Sequence, residues 1–238
     1  MRTLAALLLA AAAGAQQLPP AFDAASIKEN RSATNGNGGG GIRPGGSVSM
    51  RNVTVRMLVE WAYGLSDYQL FGGPAWMGTT GYDVEAKPTG AVDLKTARLM
   101  LQTLLTERFG LKVHPESGTV NGFNLTVDKG GIKIQLSDAT GVGFRVMGSD
   151  RIQGSGDMEM LASTLRGTLR APVEDRTGIA GSYDIDLKWT PDEAPSSASE
   201  PSVPIFAAIR QQLGLILETT KVAIDKLVID RAERPREN

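Results

Sequence analysis

The sequence contains no cysteine and only one histidine, and aromatic residues make up just 5% of its 238 positions. Without cysteine the chain can form no disulfide, no thiolate metal site and no thiol nucleophile. No other potential ligands stand at the spacing of a metal site around the single histidine, His114. The chain also contains no Gly-x-Ser-x-Gly motif, which would carry a nucleophilic serine. We therefore expect no catalytic residue and no metal, and a fold held by packing and hydrogen bonds.

Neither sign of charge dominates, because 25 basic and 26 acidic side chains leave a net charge of −1. Nucleic acids and anionic membranes attract clustered Lys and Arg, and these residues are scattered along the chain. After the N-terminal segment no apolar run reaches the roughly 20 residues of a membrane-spanning helix. The sequence thus predicts no nucleic-acid partner and no transmembrane segment in the mature chain.

Residues 1–15 have the composition of a signal peptide. Arg2 supplies a positive charge, the run Leu4–Ala13 is apolar, and Ala13-Gly14-Ala15 offers the small residues that a signal peptidase accepts. The alternative is an N-terminal helix of the core. We expect cleavage before Gln16 and a mature protein that is exported to the periplasm or the extracellular space.

Residues 16–46 are predicted to hold one strand, Phe22–Ile27, and then a flexible Gly-rich loop. The loop sequence, Asn35–Gly46, is NGNGGGGIRPGG, and glycine loses more conformational entropy on ordering than any other residue. Its Gly-x-Gly-x-x-Gly spacing matches the dinucleotide fingerprint only formally, because a strand and not a helix is predicted to follow. We expect no cofactor.

Strand and helix patterns alternate from residue 47 onward. Apolar and polar residues alternate in Tyr82–Lys87 and Tyr183–Lys188, as in half-buried strands. Asp93 and Asp157 each precede an apolar stripe of helical period and are predicted N-caps, and Gly110 is predicted to end the first of these helices.

Short strands are predicted after the helix-ending glycines. Leu111–His114 and Phe123–Val127 are predicted to form a hairpin-like pair, and Leu215–Thr219 and Lys226–Asp230 are the last strands. A polar stretch rich in Pro and Ser, residues 191–201, is predicted to be a disordered linker.

Similar segments recur about one hundred residues apart. Tyr82–Lys87 (YDVEAK) matches Tyr183–Lys188 (YDIDLK), and Phe109–Val113 (FGLKV) matches Leu213–Leu217 (LGLIL). Recurrence at a fixed offset is typical of duplicated units.

We therefore predict an α+β fold with two similar halves, residues 47–137 and 144–234. Each half is expected to have helices packed on one face of a mostly antiparallel sheet. The halves could form separate domains or share one sheet, and the sequence favours neither.

Several longer motifs carry a resemblance to a known family. They are Asn52-Val53-Thr54, Gly72-Gly73-Pro74-Ala75-Trp76, Arg108-Phe109-Gly110-Leu111-Lys112 and the run DRTGIAGSYD over Asp175–Asp184. With these motifs the chain resembles an uncharacterised soil-associated bacterial family of exported proteins with a domain of unknown function. The resemblance covers nearly the whole mature chain. It implies an extracytoplasmic sensing or interaction role, since similar domains are attached to membrane-embedded sensor peptidases, and it implies no ligand or catalytic residue.

Two glycine-containing turns are the candidate binding site, because rigid loops on a scaffold often carry function. The ring of Trp76 suits a contact at a rim, with core packing as the alternative. Asp175 can accept backbone hydrogen bonds, and Gly178 can adopt a positive φ. We expect the two turns to face each other. The candidate residues are Gly72, Gly73, Pro74, Trp76, Asp175, Arg176, Thr177 and Gly178.

The leading hypothesis is a non-catalytic extracytoplasmic module that binds a protein or peptide partner through an exposed sheet edge or the two turns. The alternative is a carboxylate-dependent hydrolase of extracellular glycans, which needs two nearby acids, one with a raised pKa. A third hypothesis is a small-ligand sensor with an apolar pocket between the halves. Acids that could serve the hydrolase are Glu60, Asp83, Glu85, Asp175 and Asp184.

Overall fold

The fold is known from a computed structural model, which describes residues 18–32, 38–138, 143–191 and 203–235. Within these residues helices accompany sheets whose pairings are mostly antiparallel, so the predicted α+β class is confirmed. The chain divides into two compact units. The first unit comprises Met1–Tyr63, Trp76–Gly110 and Glu233–Asn238, and the second comprises Gly64–Ala75 and Leu111–Ala232.

In its described residues the first unit contains one antiparallel sheet and two α-helices. In spatial order the strands are β1 (Ala24–Asn30), β5 (Gly81–Lys87), β3 (Val48–Thr54) and β2 (Gly39–Ile42), and the helices are α1 (Val55–Tyr63) and α2 (Leu94–Phe109). The Asp93 carboxylate accepts a hydrogen bond of 2.7 Å from the Thr96 amide, and Gly110 is left-handed. The predicted N-cap and C-terminal glycine of α2 are therefore confirmed.

Strand β2 lies where the sequence predicts a flexible loop. A Cβ atom on Gly40, whose φ is +133°, would lie 2.2 Å from the Ser49 carbonyl oxygen of β3. A Cβ on Gly38 would lie 1.7 Å from the Arg51 carbonyl oxygen. Glycine here permits the close approach of an edge strand, so the loop prediction was wrong for Gly39–Ile42. Residues 33–37 of the Gly-rich segment and residues 192–201 of the predicted disordered linker lie outside the described residues.

The part of the second unit that the structure describes contains two sheets, one helix of three turns and one shorter helical segment. The first sheet has the order β10 (Val173–Asp175), β6 (Lys112–Val127), β12 (Leu215–Arg231) and β4 (Leu70–Gly72). The second has the order β7 (Gln135–Leu136), β11 (Tyr183–Lys188), β9 (Arg151–Gly156) and β8 (Gly143–Met147). The helices are α3 (Met158–Leu169) and α4 (Ile205–Ala208), which continues as a π-turn over Ile209–Leu213.

A hydrophobic core lies within the second unit. It is built from alternate residues of the strands and the apolar stripe of α3, which begins at the predicted N-cap Asp157. Fully buried members include Leu125, Ile152, Leu161, Leu165 and Leu187. The alternation predicted for Tyr183–Lys188 is confirmed, since Tyr183, Ile185 and Leu187 are buried and the residues between them are exposed.

Strands β6 and β12 form a long antiparallel ribbon, called the ribbon below. Each is continuous, with 16 and 17 residues, so the prediction of two short strands in each segment was wrong. The amide of Phe123 and the carbonyl of Leu125 point outward to β10, so odd-numbered residues of β6 face the outer edge. Pro115 is one of them, and its missing N–H removes no hydrogen bond of the ribbon.

No helix in the described part of the chain has both the length and the apolar character needed to cross a bilayer. The sheet that contains the ribbon combines strands from both predicted halves, because β4 and β6 precede residue 138 and β10 and β12 follow it. The sequence left this point open. It follows that the strand pairing, and not the order along the chain, defines this sheet.

Candidate functional site

The two predicted binding turns do not face each other. Gly72 ends β4 beside Ile229, which is paired with Val113, and Asp175 ends β10 beside Leu125. Residues 113 and 125 are about 40 Å apart along β6 at roughly 3.3 Å per residue. Strands β4 and β10 also run in opposite directions, so each turn leads away from the other. The expectation of one shared site was wrong. Strands β4 and β10 pair with opposite ends of the ribbon, and this pairing keeps the two turns apart.

The turn after β10 is stabilised by its own side chains. The Asp175 carboxylate accepts hydrogen bonds from the Thr177 amide and hydroxyl, at 2.9 and 2.7 Å. Arg176 donates to Glu174 at 2.8 Å, and Gly178 has a φ of +68°. The predicted structured turn is therefore present. A binding role for its residues stays a prediction.

The turn after β4 begins with Gly72 and Gly73, which both have a positive φ, and continues through Pro74. A Cβ on Gly72 would lie 2.8 Å from the Ile229 carbonyl oxygen of the same unit. Trp76 follows in the first unit, where its half-buried ring stacks on Phe109 with centroids 6.4 Å apart. The Arg234 guanidinium lies 5.4 Å from the same ring. Much of the Trp76 ring is therefore in contact with Phe109 and Arg234 of the same unit.

Each of the predicted acids has a local hydrogen-bond or ionic partner. Asp83 accepts hydrogen bonds from the Asn30 amide group at 2.8 Å and the Asn52 backbone N–H at 2.9 Å. These bonds, chiefly that from Asn30, hold the pKa of Asp83 below its usual value. Asn52 has a φ of +51°, so Asp83 fixes an unusual backbone turn next to a register shift of β3. In the described structure Asp83 therefore stabilises the backbone around Asn52.

A shallow groove of about 300 Å³ lies on the polar face of β9 and β11 and contains two acids. The pKa of Asp184 is lowered by hydrogen bonds from Ser155 and then Ser137, and the pKa of Asp186 is lowered by the Arg151 guanidinium, which lies 2.6 Å away. A glycosidase needs one carboxyl group that keeps its proton near neutral pH. The pKa values of both acids here are shifted the other way, which does not favour a general acid in this groove.

The remaining hydrolase candidates also have local partners. Glu60 lies 3.7 Å from Arg56 one helical turn away, and Glu85 accepts a hydrogen bond of 2.8 Å from the Ser49 hydroxyl. The lone histidine, His114, lies 2.9 Å from Asp230, and both side chains are about half exposed. Within the described residues no group of three His, Asp or Glu side chains could hold a metal ion. Ion pairs at least partly exposed to solvent, such as Glu60 with Arg56 and His114 with Asp230, contribute little to stability.

The outer edge of β6 offers unpaired backbone groups. Strand β10 pairs with β6 only at Phe123–Leu125. In the remaining edge, Ser117, Thr119 and Asn121 direct their N–H and C=O groups outward, and no strand in the described ranges pairs with them. Their side chains are all exposed. This is the geometry that accepts an added strand.

The outer edge of β12 is less accessible to a strand. Strand β4 pairs with Leu227–Ile229, and the Gln69 side chain donates to the outward carbonyl of Asp225 at 3.3 Å. Lys221, also at an outward position, is charged. Charged side chains and covered carbonyls are common ways to block an edge strand. The open edge is therefore that of β6.

Sequence reasoning missed this edge because the segment has the composition of a turn. Ser117-Gly118 and Asn121-Gly122 are typical turn dipeptides, and they favoured two short strands over one long strand. A Cβ on Gly122 would lie 2.8 Å from the Pro172 carbonyl oxygen, so this glycine serves close packing and not a turn. No local signal distinguishes these uses.

The model of a family described as "Protein of unknown function (DUF3738)" matches residues 56–232. No curated protein and no solved structure matches the chain. The match covers the ribbon and both predicted turns. It brings no activity, ligand or residue role with it.

Proposed function

The chain belongs to the DUF3738 family of unknown function, and on that premise we propose that it is a non-catalytic binding module for an extended peptide segment of a partner protein. The partner segment adds a strand along the outer edge of β6, at Ser117, Thr119 and Asn121. Main-chain hydrogen bonds supply affinity in such complexes, and alternate side chains supply selectivity. The single observation that carries the proposal is the unpaired edge of a 16-residue strand.

The edge fits a short segment in a defined place. Outward-facing residues repeat about every 6.7 Å along a strand, so these three positions hydrogen-bond a peptide of about five residues. Pro115, which offers no N–H, limits the edge on one side, and β10 limits it on the other. The exposed side chains at Ser117, Thr119 and Asn121 are uncharged, and the Lys221 ammonium of β12 donates a hydrogen bond to the Asn121 side chain.

Thr119→Pro tests the proposal, because it removes one outward N–H and leaves the bonds to β12 intact. A library of random 12-residue peptides displayed on phage is selected on the mature chain, and the enriched peptides are measured by fluorescence anisotropy. We expect Thr119→Pro to weaken their binding about tenfold or more, from a lost hydrogen bond and the bulk of the ring.

Thr119→Val is the matched control, since it retains the N–H and occupies the same exposed position. Its affinity for the selected peptides is expected to stay within about twofold of wild type. Failure to enrich any peptide, or equal binding by wild type and Thr119→Pro, would contradict addition of a strand at this edge.

We further propose that the chain is exported and that residues 1–15 are removed. The support is the charged start, the apolar run and Ala13-Gly14-Ala15; these residues lie outside the described ranges. Expressed with its full N-terminus in a bacterial host, the chain is expected in the periplasm or medium with Gln16 first, as read from its intact mass. Cytoplasmic protein that retains Met1 would contradict this.

Bacterial, soil-associated origin stays a prediction of the resemblance.

We also propose that the sequence contains a duplication. The order strand, strand, helix, short strand, strand, helix, long strand occurs from β2 to β6 and again from β8 to β12. The short strand of each series pairs in parallel with the long strand of the other, β4 with β12 and β10 with β6. An experimental structure in which the two series superpose no better than unrelated α+β motifs would overturn this proposal.

A further inference from the structure

We propose that a groove between α1 and α2 of the first unit binds a small amphiphilic carboxylate, a molecule with one carboxylate and an apolar body. This is a second site, independent of the peptide edge. The groove has a volume of about 370 Å³. Its lining combines apolar and cationic side chains, chiefly Tyr63, Leu94, Lys95, Arg98 and Leu99.

Arg98 is the residue that points to an anion. Its Nε atom is buried without a hydrogen-bond partner, and no ion pair or hydrogen bond links Arg98 to any residue in the described ranges. A guanidinium is a fork of N–H donors that matches a carboxylate with paired hydrogen bonds. Arg98 lines the groove and its Nε is covered, so the terminal nitrogens of the guanidinium, which carry no hydrogen bond to a described residue, are the donors for a bound carboxylate.

Two further groups in the groove favour a carboxylate over a cation or a neutral polar ligand. Lys95 adds a second positive charge. Burial raises the pKa of Tyr63, so its hydroxyl keeps its proton and can donate a hydrogen bond. The nearest acid on the same helix terminus, Asp93, is already hydrogen-bonded to the Thr96 amide at 2.7 Å.

The apolar part of the ligand is indicated by the leucines. Leu94 and Leu99 are 51% and 41% exposed on the same helix that carries Arg98. Single exposed leucines are ordinary, but here two of them border an unpaired guanidinium. Gln102 closes one side of the groove by donating to the Ala62 carbonyl at 2.9 Å. The volume is near the lower end of the range for ligand sites, about 300–1,000 Å³, and suits a short chain or one ring.

The test is a calorimetric titration of the mature chain with sodium decanoate. Decanol, which has the same chain length and lacks the carboxylate, is titrated for comparison. We expect decanoate to bind at least tenfold more tightly than decanol. Arg98→Met, which keeps the apolar stem and removes the charge, is expected to weaken decanoate binding at least tenfold. Leu99→Ser, at an exposed position, is expected to weaken both probes.

Lys87→Met is the matched control, because it removes an exposed lysine of the same unit that does not line the groove. It is expected to bind decanoate as wild type does. The melting temperature of ligand-free Arg98→Met separates a binding from a structural role: a ligand-binding arginine leaves it unchanged or raised, and a structural arginine lowers it on substitution. Equal binding of decanoate and decanol, or full binding by Arg98→Met, would overturn the proposal.

Discussion

Gly40→Ala is expected to lower the free energy of unfolding by about 3 kcal/mol or more, because its backbone position excludes a side chain. The φ of Gly40 is +133°, and an added Cβ would lie 2.2 Å from the Ser49 carbonyl oxygen on the neighbouring strand. The atom that is hit belongs to the backbone, so no side-chain rotation relieves the overlap. Strand β2 would have to leave β3.

Gly39→Ala is the control for this prediction, one residue away in the same strand. An added Cβ on Gly39 meets no atom within 4 Å, and its φ is not positive. Its effect is expected to stay within about 1 kcal/mol, since alanine also restricts the unfolded chain. Urea unfolding followed by circular dichroism measures both variants. Equal stability of the two would show that β2 does not approach β3 as described.

Phe109→Ala is expected to cost about 3–5 kcal/mol, the range for removing a buried phenylalanine. Phe109 is the last residue of α2 and is 0% exposed. Its ring meets Tyr82 edge-on with centroids 5.5 Å apart and stacks on Trp76 at 6.4 Å. The substitution therefore leaves a cavity between a helix end and a central strand of the first unit.

Phe206→Ala is the comparison for Phe109→Ala, because Phe206 is 44% exposed and its ring meets that of Phe123 with centroids 5.2 Å apart. Its loss is expected to cost about 1 kcal/mol, in keeping with partial burial. Urea midpoints and m-values of both variants measure the difference. A larger loss for Phe206→Ala than for Phe109→Ala would contradict the packing around Phe109.

Helix α2 shows how far local sequence reasoning reaches. Its start at Asp93 and its end at Gly110 are confirmed because caps and apolar periodicity act within one element. The same holds for Tyr183–Lys188, where alternate burial follows from the pleat of a single strand. These features need no knowledge of what the element packs against.

The open edge of β6 could not be predicted in this way. Whether Ser117-Gly118 and Asn121-Gly122 turn or continue depends on a partner strand about one hundred residues later in the chain. Local propensity favours a turn there, and the ladder with β12 overrides it. The separation of the two glycine turns follows from the same ladder, since each flanking strand pairs at a different end of the ribbon.

By itself, the sequence determined the α+β class, the capped helices and the alternating strands. Each depends on the spacing of apolar residues and caps over a few neighbouring positions. Only the tertiary structure decided that β6 is one long strand with a free edge, and that the Nε atom of Arg98 is buried without an acceptor. Strand pairing and the burial of a polar atom depend on residues that are distant in the chain. The spacing of residues within one element does not predict which distant residues it will contact.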